Sequence, residues 1–215
     1  MSIQSLVLVS SLNLDSLEGL RIFIVKSSTA RTVGDFGLKC LAGESGRLDV
    51  ICSCIIAAFK LRNGIRRNVL FYAVLEGPPR PPITFEIRGW EVHDVPTSEV
   101  EVAKVIRDLL NVDTVCDPRY PGYYKYRMSF RDLVLALKSR GVTPVYLHEG
   151  GIDIARAFLP KRVAFIIGDH IGLPVEDERF LDKLGVQRVS LGPRIYLSWF
   201  CVALINMYLD GLWVV

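Results

Sequence analysis

The sequence predicts an α/β fold with a mostly parallel sheet flanked by helices, and three observations carry that prediction. Short runs dense in branched apolar residues, such as RIFIVK at 21–26 and VAFII at 163–167, read as strands buried on both faces. Segments with helical apolar spacing alternate with them. Three of the strands exit into glycine turns, which put bare backbone amides and carbonyls at the sheet end where open α/β folds bind small molecules.

Taken in order, residues 21–26 form the first strand, followed by a polar loop carrying Gly34-Asp35-Phe36-Gly37 and Gly43-Glu44-Ser45-Gly46. Leu48, Ile51, Ile55, Ala58 and Phe59 recur at helical spacing and predict a helix from Arg47 to about Arg62, stopped by Asn63-Gly64. Residues 70–75 are the second strand. Four prolines between Gly77 and Pro82 predict a stiff connector in extended or polyproline geometry, with a strand at 83–88 beyond it. Thr97 is read as the N-cap of a helix to about Leu110, and Ser129 as the cap of another to Arg140. Strands at 145–147, 163–167 and 186–189 then end in the turns His148-Glu149-Gly150-Gly151, Gly168 to Pro174, and Ser190-Leu191-Gly192-Pro193.

A chain of 215 residues supports one well-buried domain, placed at 21–215. Residues 1–20 read as a loosely attached, disordered extension or a start site set too far upstream. Half the residues are apolar and the mean hydropathy is +0.31, so apolar surface must be covered by a core or by a second chain. The tail from Ile195 onward is apolar all round but is interrupted by Asn206, Asp210 and Gly211. That pattern is read as a helix held between its own core and a second subunit, predicting a homodimer and no membrane span. The net charge of +3 permits an RNA partner without demanding one. Five scattered cysteines, mostly in apolar surroundings, indicate buried thiols in an intracellular, cytoplasmic protein; a disulfide stays open should the source be a hyperthermophile. No cysteine or histidine pair stands at zinc-ligand spacing, so no metal site is expected.

The three glycine turns are expected to converge on one pocket, with Leu147, Gly168 and Leu191 offering backbone groups to a flat heterocycle. No GxxxxGK[ST] or GxGxxG pattern is present, which disfavours a nucleoside triphosphate or NAD. His148 and His170 lie in glycine loops without a placed Ser or Cys partner, so triad hydrolysis has no support. A second cluster is Asp35 with Gly46-Arg47-Leu48-Asp49; Asp49 either complements the helix dipole or serves chemistry, and the residues alone leave both open. A third is the segment from Arg119 through Tyr123, Tyr124 and Lys125 to Arg127, seconded by Arg66 and Arg67. Aromatics interleaved with cations suit unpaired RNA bases, and equally an edge strand with exposed tyrosines.

The segments GDFGLKCLAGESGRLDVICSCIIAAF, NGIRRNVLFYAVLEGPPRPP, YLHEGG, FIIGDHIGLPVEDERFLDKLG and RVSLGP, in that order and spacing, resemble the archaeal tRNA pseudouridine-54 N(1)-methyltransferases of the SPOUT class. The resemblance covers nearly everything from Arg21 to Leu209. It implies a SPOUT fold with a carboxy-terminal trefoil knot, S-adenosylmethionine as cofactor, tRNA as substrate through its T-loop, and a homodimer through the last helix. Cofactor contacts would then fall on Leu147, on Gly168, on Ser190, Leu191, Gly192, Pro193, Arg194, Ile195, Tyr196 and Leu197, and on Cys201. Asp49 or Asp35 would act as base or orient the nucleobase, with Arg47 stabilising charge on its carbonyl oxygen. Ser53 stands where the family pattern has an arginine, and Trp199-Phe200 where it has a more polar pair including a histidine. The competing readings are a relative that acts on ribosomal RNA pseudouridine and an RNA-binding ribosome assembly factor without turnover.

Overall fold

A computed structural model describes residues 18–212; the sequence-level reading of residues 1–17 and of 213–215 lies outside them. The element order is β1 (Arg21–Ser27), α1 (Leu41–Glu44), α2 (Leu48–Phe59), β2 (Lys60–Leu61), β3 (Gly64–Ile65), β4 (Val69–Leu75), β5 (Ile83–Arg88), α3 (Glu99–Leu110), β6 (Tyr123–Tyr126), α4 (Phe130–Ser139), β7 (Thr143–Asp153), β8 (Val163–Gly168), α5 (Val175–Lys183), β9 (Gln187–Ser190) and α6 (Ser198–Leu209). Seven strands pair in the order β6-β5-β4-β1-β8-β7-β9. The five from β4 to β9 are mutually parallel, while β5 pairs antiparallel with both β4 and β6. Every residue of β1, β4 and β5 is buried, as expected for strands covered on both faces.

Alternation along β1 divides the core. Phe23 and Val25 join Leu48, Ile51, Ile55, Ile106, Val202 and Ile205 under α2, α3 and α6. Ile22 and Ile24 join Phe130, Leu133, Leu137 and Leu181 under α4 and α5. The last helix is tied to the first face by Asn206, whose Nδ2 donates to the carbonyls of Ala57 (3.0 Å) and Ala58 (3.2 Å). Arg21 donates to Asn206 Oδ1 at 2.9 Å and to Asp210 at 2.6 Å. Of the residues that interrupt the apolar tail, Asn206 is thus a buried anchor and Asp210 an exposed one.

Several sequence expectations change. The helix opening at Leu48 ends at Phe59 rather than Arg62, because Lys60 turns extended and Lys60 to Ile65 close a small antiparallel hairpin whose turn is Arg62-Asn63. Ser98, not Thr97, caps α3: its Oγ accepts from the Glu101 amide at 3.3 Å. The proline connector carries cis bonds at Pro78-Pro79 and Pro81-Pro82, which a continuous polyproline run does not contain. The strand predicted at 145–147 is β7, and His148 to Gly151 is an outward excursion after which pairing with β9 resumes at Ile152. Cys40 and Cys116 are exposed rather than buried, and all five thiols are free. Among the described residues, no helix is long and apolar enough to cross a membrane.

Candidate active site

The carboxyl ends of β7, β8 and β9 and the start of α6 surround a cleft of about 620 Å³, within the range of small-molecule sites. The convergence predicted from the three glycine turns is therefore real. Leu147, Gly168, Leu191, Gly192, Arg194, Ile195, Tyr196, Leu197 and Cys201 all line it. Ser190 and Pro193 do not. Ser190 instead fixes the loop from within, its Oγ donating to the Gly192 carbonyl (2.7 Å) and accepting from the Gly192 amide (3.1 Å).

The loops are held against one another by short polar contacts. Ser198 at the head of α6 donates to the Gly168 carbonyl at 2.8 Å, and Ser27 at the end of β1 donates to Asp169 at 2.7 Å. At Gly168 a Cβ would stand 2.4 Å from the Gly172 carbonyl carbon and 2.7 Å from the Leu173 amide nitrogen, so only glycine lets the turn fold back this closely. Burial pushes the Cys201 thiol up to about 11, which keeps it protonated and apolar in the cleft wall. His148 turns inward, its Nδ1 accepting from the Gly150 amide at 3.0 Å.

The opposite wall is the start of α2. Arg47, at φ +67°, enters the helix from the left-handed region and reaches forward to Asp49, with Nε 3.0 Å from Oδ1 and Nη2 2.9 Å from Oδ2. The adjacent carboxylate holds the guanidinium above its ordinary range. Asp49 and Arg47 both line the cleft. Asp35 does not: it pairs with Arg31 at 2.6 Å on the surface, its side chain more than half exposed, and that ion pair holds its carboxyl below the usual range. Of the two carboxylates considered from sequence, the fold brings one to the site. Ser53 and Glu99 also line the cleft, hydrogen-bonded to each other. The sequence marks Ser53 only as a departure from the family pattern and gives no sign of Glu99 as a site residue. Ser53 lies one turn beyond Asp49 on the same helix face, a usable signal, whereas Glu99 reads only as a first-turn acid on α3.

The aromatic and basic segment lies elsewhere. β6 is the far edge of the sheet from β7, β8 and β9. Tyr123 is 3% exposed and cannot present its ring to a base. Tyr124 donates to Glu91 and lies under the Arg88 guanidinium, 4.1 Å from the ring centre. Lys125 is spent on the carbonyls of Leu109 and Val112. Arg119 pairs with Asp117, Arg66 with Asp210, and Arg67 donates to the carbonyls of Gly89 and Val92. Arg127 is exposed beside this edge. These side chains tie strands and turns together: β6 is an edge strand, but its tyrosines are buried or half-buried rather than exposed.

The chain matches the family model described as "Putative SAM-dependent RNA methyltransferase" over residues 20–213. It is 40% identical over 204 residues to the tRNA (pseudouridine(54)-N(1))-methyltransferase of Pyrococcus abyssi, covering 90% of this chain and 98% of that one. The enzyme of the same name from Methanocaldococcus jannaschii is 40% identical over 199 residues, covering 89% and 97%. Among solved structures, Archaeoglobus fulgidus Nep1 bound to S-adenosylhomocysteine superposes with a TM-score of 0.61 at 13% identity, covering 89% of this chain and 98% of Nep1. That likeness speaks to the fold alone. With the family model spanning nearly the whole described chain and relatives matched end to end, this protein belongs to the SAM-dependent RNA methyltransferase family that includes the archaeal tRNA (pseudouridine(54)-N(1))-methyltransferases.

Proposed function

We propose that this chain transfers the methyl group of S-adenosylmethionine to N(1) of pseudouridine 54 in the T-loop of tRNA. The observation that carries the reading is a cleft at three parallel strand ends with the Arg47–Asp49 pair on its wall, in a chain 40% identical over nearly its full length to enzymes named for that reaction.

The residues present fit the cofactor. Backbone edges at Leu147, Gly168 and Leu191 suit a flat purine, Ile167, Leu191 and Leu197 give the slot its apolar faces, and the lining carries more carboxylates than guanidiniums, as a cationic ligand requires. Bound there, S-adenosylmethionine supplies an already electrophilic methyl group. The chain's own residues must then align the base and remove a proton. In this reading Asp49 accepts the N(1) proton as the nitrogen forms its bond to the methyl carbon, and the electron pair of the breaking carbon–sulfur bond stays on sulfur. The pair with Asp49 uses Nε and Nη2 of Arg47, so Nη1 is left to donate to the neighbouring carbonyl oxygen where charge develops. Positioned proton removal of this kind contributes roughly 100- to 10,000-fold.

The described residues 21–212 would act as one catalytic unit, threaded as a trefoil knot and working as a homodimer in the cytoplasm. Support for the dimer is the outer face of α6, where Trp199, Phe200, Met207 and Leu209 stand between 37 and 45% exposed. A sedimentation mass of twice 24.1 kDa is expected, and a monomer mass would contradict it. The activity is tested with labelled S-adenosylmethionine and paired tRNA transcripts carrying pseudouridine or uridine at position 54. Label should enter only the first; equal labelling of both would overturn the N(1) assignment.

A further inference from the structure

We propose that Asp169 separates cofactor from product in this cleft, its buried negative charge favouring the sulfonium cation over the neutral thioether left after transfer. The inference rests on the S-adenosylmethionine reading above.

The lining contains five carboxylates, and their surroundings differ. Asp49 is engaged by Arg47. Glu178 accepts from the Tyr146 hydroxyl at 2.8 Å and lies 3.7 Å from Arg188. Glu149 is 3.7 Å from His148, and Glu99 is exposed and held by Ser53. Asp169 alone has a fully buried side chain. Its oxygens accept from three neutral donors: Ser27 Oγ at 2.7 Å, the Ser28 amide at 3.2 Å and the Ile171 amide at 3.0 Å. The ionisable group at its edge is the His170 imidazole, 3.7 Å away. The nearby ammonium of Lys26 is on the other face of β1, taken by Glu76 and Asp177. Arg47, within electrostatic reach, is already paired.

Neutral donors stabilise a carboxylate without cancelling its charge, so its field extends into the cleft, and burial weakens solvent screening of that field. A cation entering the cleft gains from it; an uncharged ligand of the same shape does not. Methyl transfer removes that cation, since the carbon–sulfur electron pair remains on sulfur while the proton from N(1) goes to Asp49. The same charge that draws in the donor therefore does nothing to retain the product. An opposite charge within about 4–6 Å favours the charged form of its partner by one to three decades, so a cation that the cleft holds within that range of Asp169 gains a preference of at least about tenfold.

The test is calorimetric titration of the wild-type protein with S-adenosylmethionine, with sinefungin, which carries a protonated amine near the sulfonium position, and with S-adenosylhomocysteine. Both cations should bind at least about tenfold tighter than the neutral thioether; equal affinities overturn the proposal without any variant. Asp169→Asn, an isostere that keeps the Ile171 bond, should erase the preference while leaving S-adenosylhomocysteine affinity within about threefold. Ser27→Ala removes a hydrogen bond from the same carboxylate without touching its charge and should leave the ratio as in the wild type. An unchanged ratio in Asp169→Asn, or an equal loss of ratio in Ser27→Ala, sinks the charge assignment. Failure of all three ligands to bind the wild type would instead sink the cofactor reading.

Discussion

Arg47 grips both oxygens of Asp49 from a backbone that no other described non-glycine residue adopts, with φ at +67°. A left-handed conformation at a non-glycine residue costs roughly 1–3 kcal/mol, and such strain persists where the surrounding structure over-determines it. Here Gly46 before it, Asp49 after it and a backbone bond to the Ala42 carbonyl at 3.3 Å fix the guanidinium at the cleft wall. Arg47→Gly is therefore expected to raise the unfolding free energy by a few tenths to about 1 kcal/mol in denaturant titration while lowering methyl transfer at least tenfold.

The two carboxylates weighed from sequence should separate cleanly. Asp49→Asn is expected to lower kcat by roughly 100- to 10,000-fold with the melting temperature little changed. Asp35→Asn breaks an exposed pair with Arg31 that lies outside the cleft and should leave kcat within about twofold. Single-turnover rates on pseudouridine-containing tRNA decide between them.

How the site became legible follows from these residues. Glycine-bearing turns after apolar runs located the cleft, because strand ends and tight turns leave local signatures. Asp35 and Asp49 were indistinguishable in sequence, since nothing local tells a loop acid paired at i+4 from a helix-start acid turned inward. Glu99 joins the site only through the packing of α3 against α2, a contact between residues 46 apart that no spacing rule exposes. The tyrosine-rich segment was ambiguous for the opposite reason: its composition suits RNA, but both faces of β6 are covered, so Tyr123 and Tyr126 are buried on opposite sides and Lys125 is left to satisfy carbonyls.

Gly168→Ala should disable cofactor binding. The added methyl would sit 2.4 Å from the Gly172 carbonyl carbon, and the turn must open to admit it. A loss of S-adenosylmethionine affinity of at least tenfold in calorimetric titration is expected, together with weaker protection of the turn in hydrogen exchange.

The buried ammonium of Lys26, 3% exposed, lies between Asp177 and Glu76, with Arg131 completing the Asp177 side at 2.9 Å. Lys26→Met removes the cation shared by the two acids, while Asp177 keeps Arg131 and Glu76 keeps the Phe130 amide, and should cost about 1–3 kcal/mol by urea unfolding. The double change Lys26→Met with Asp177→Leu is expected to recover part of that loss.

Thiol reactivity should rank by exposure. Cys40 and Cys116 are open, and Cys201, raised to about 11, is three units above pH 8, so about one molecule in a thousand carries its thiolate there. A disulfide-exchange titration at pH 8 should show two fast thiols. The Cys201 rate should rise about tenfold per pH unit until about pH 11, while Cys52 and Cys54 appear only on unfolding.

Methyl transfer to pseudouridine 54 is tested by incubating the protein with S-adenosylmethionine and tRNA bearing pseudouridine at position 54, then digesting the tRNA and identifying its nucleosides by mass and fragmentation. Pseudouridine should gain about 14 mass units, the mass of one CH₂, with the methyl on the base, located at that position and absent from the uridine transcript. Unmodified pseudouridine 54, from a protein that binds S-adenosylmethionine normally, would contradict that transfer.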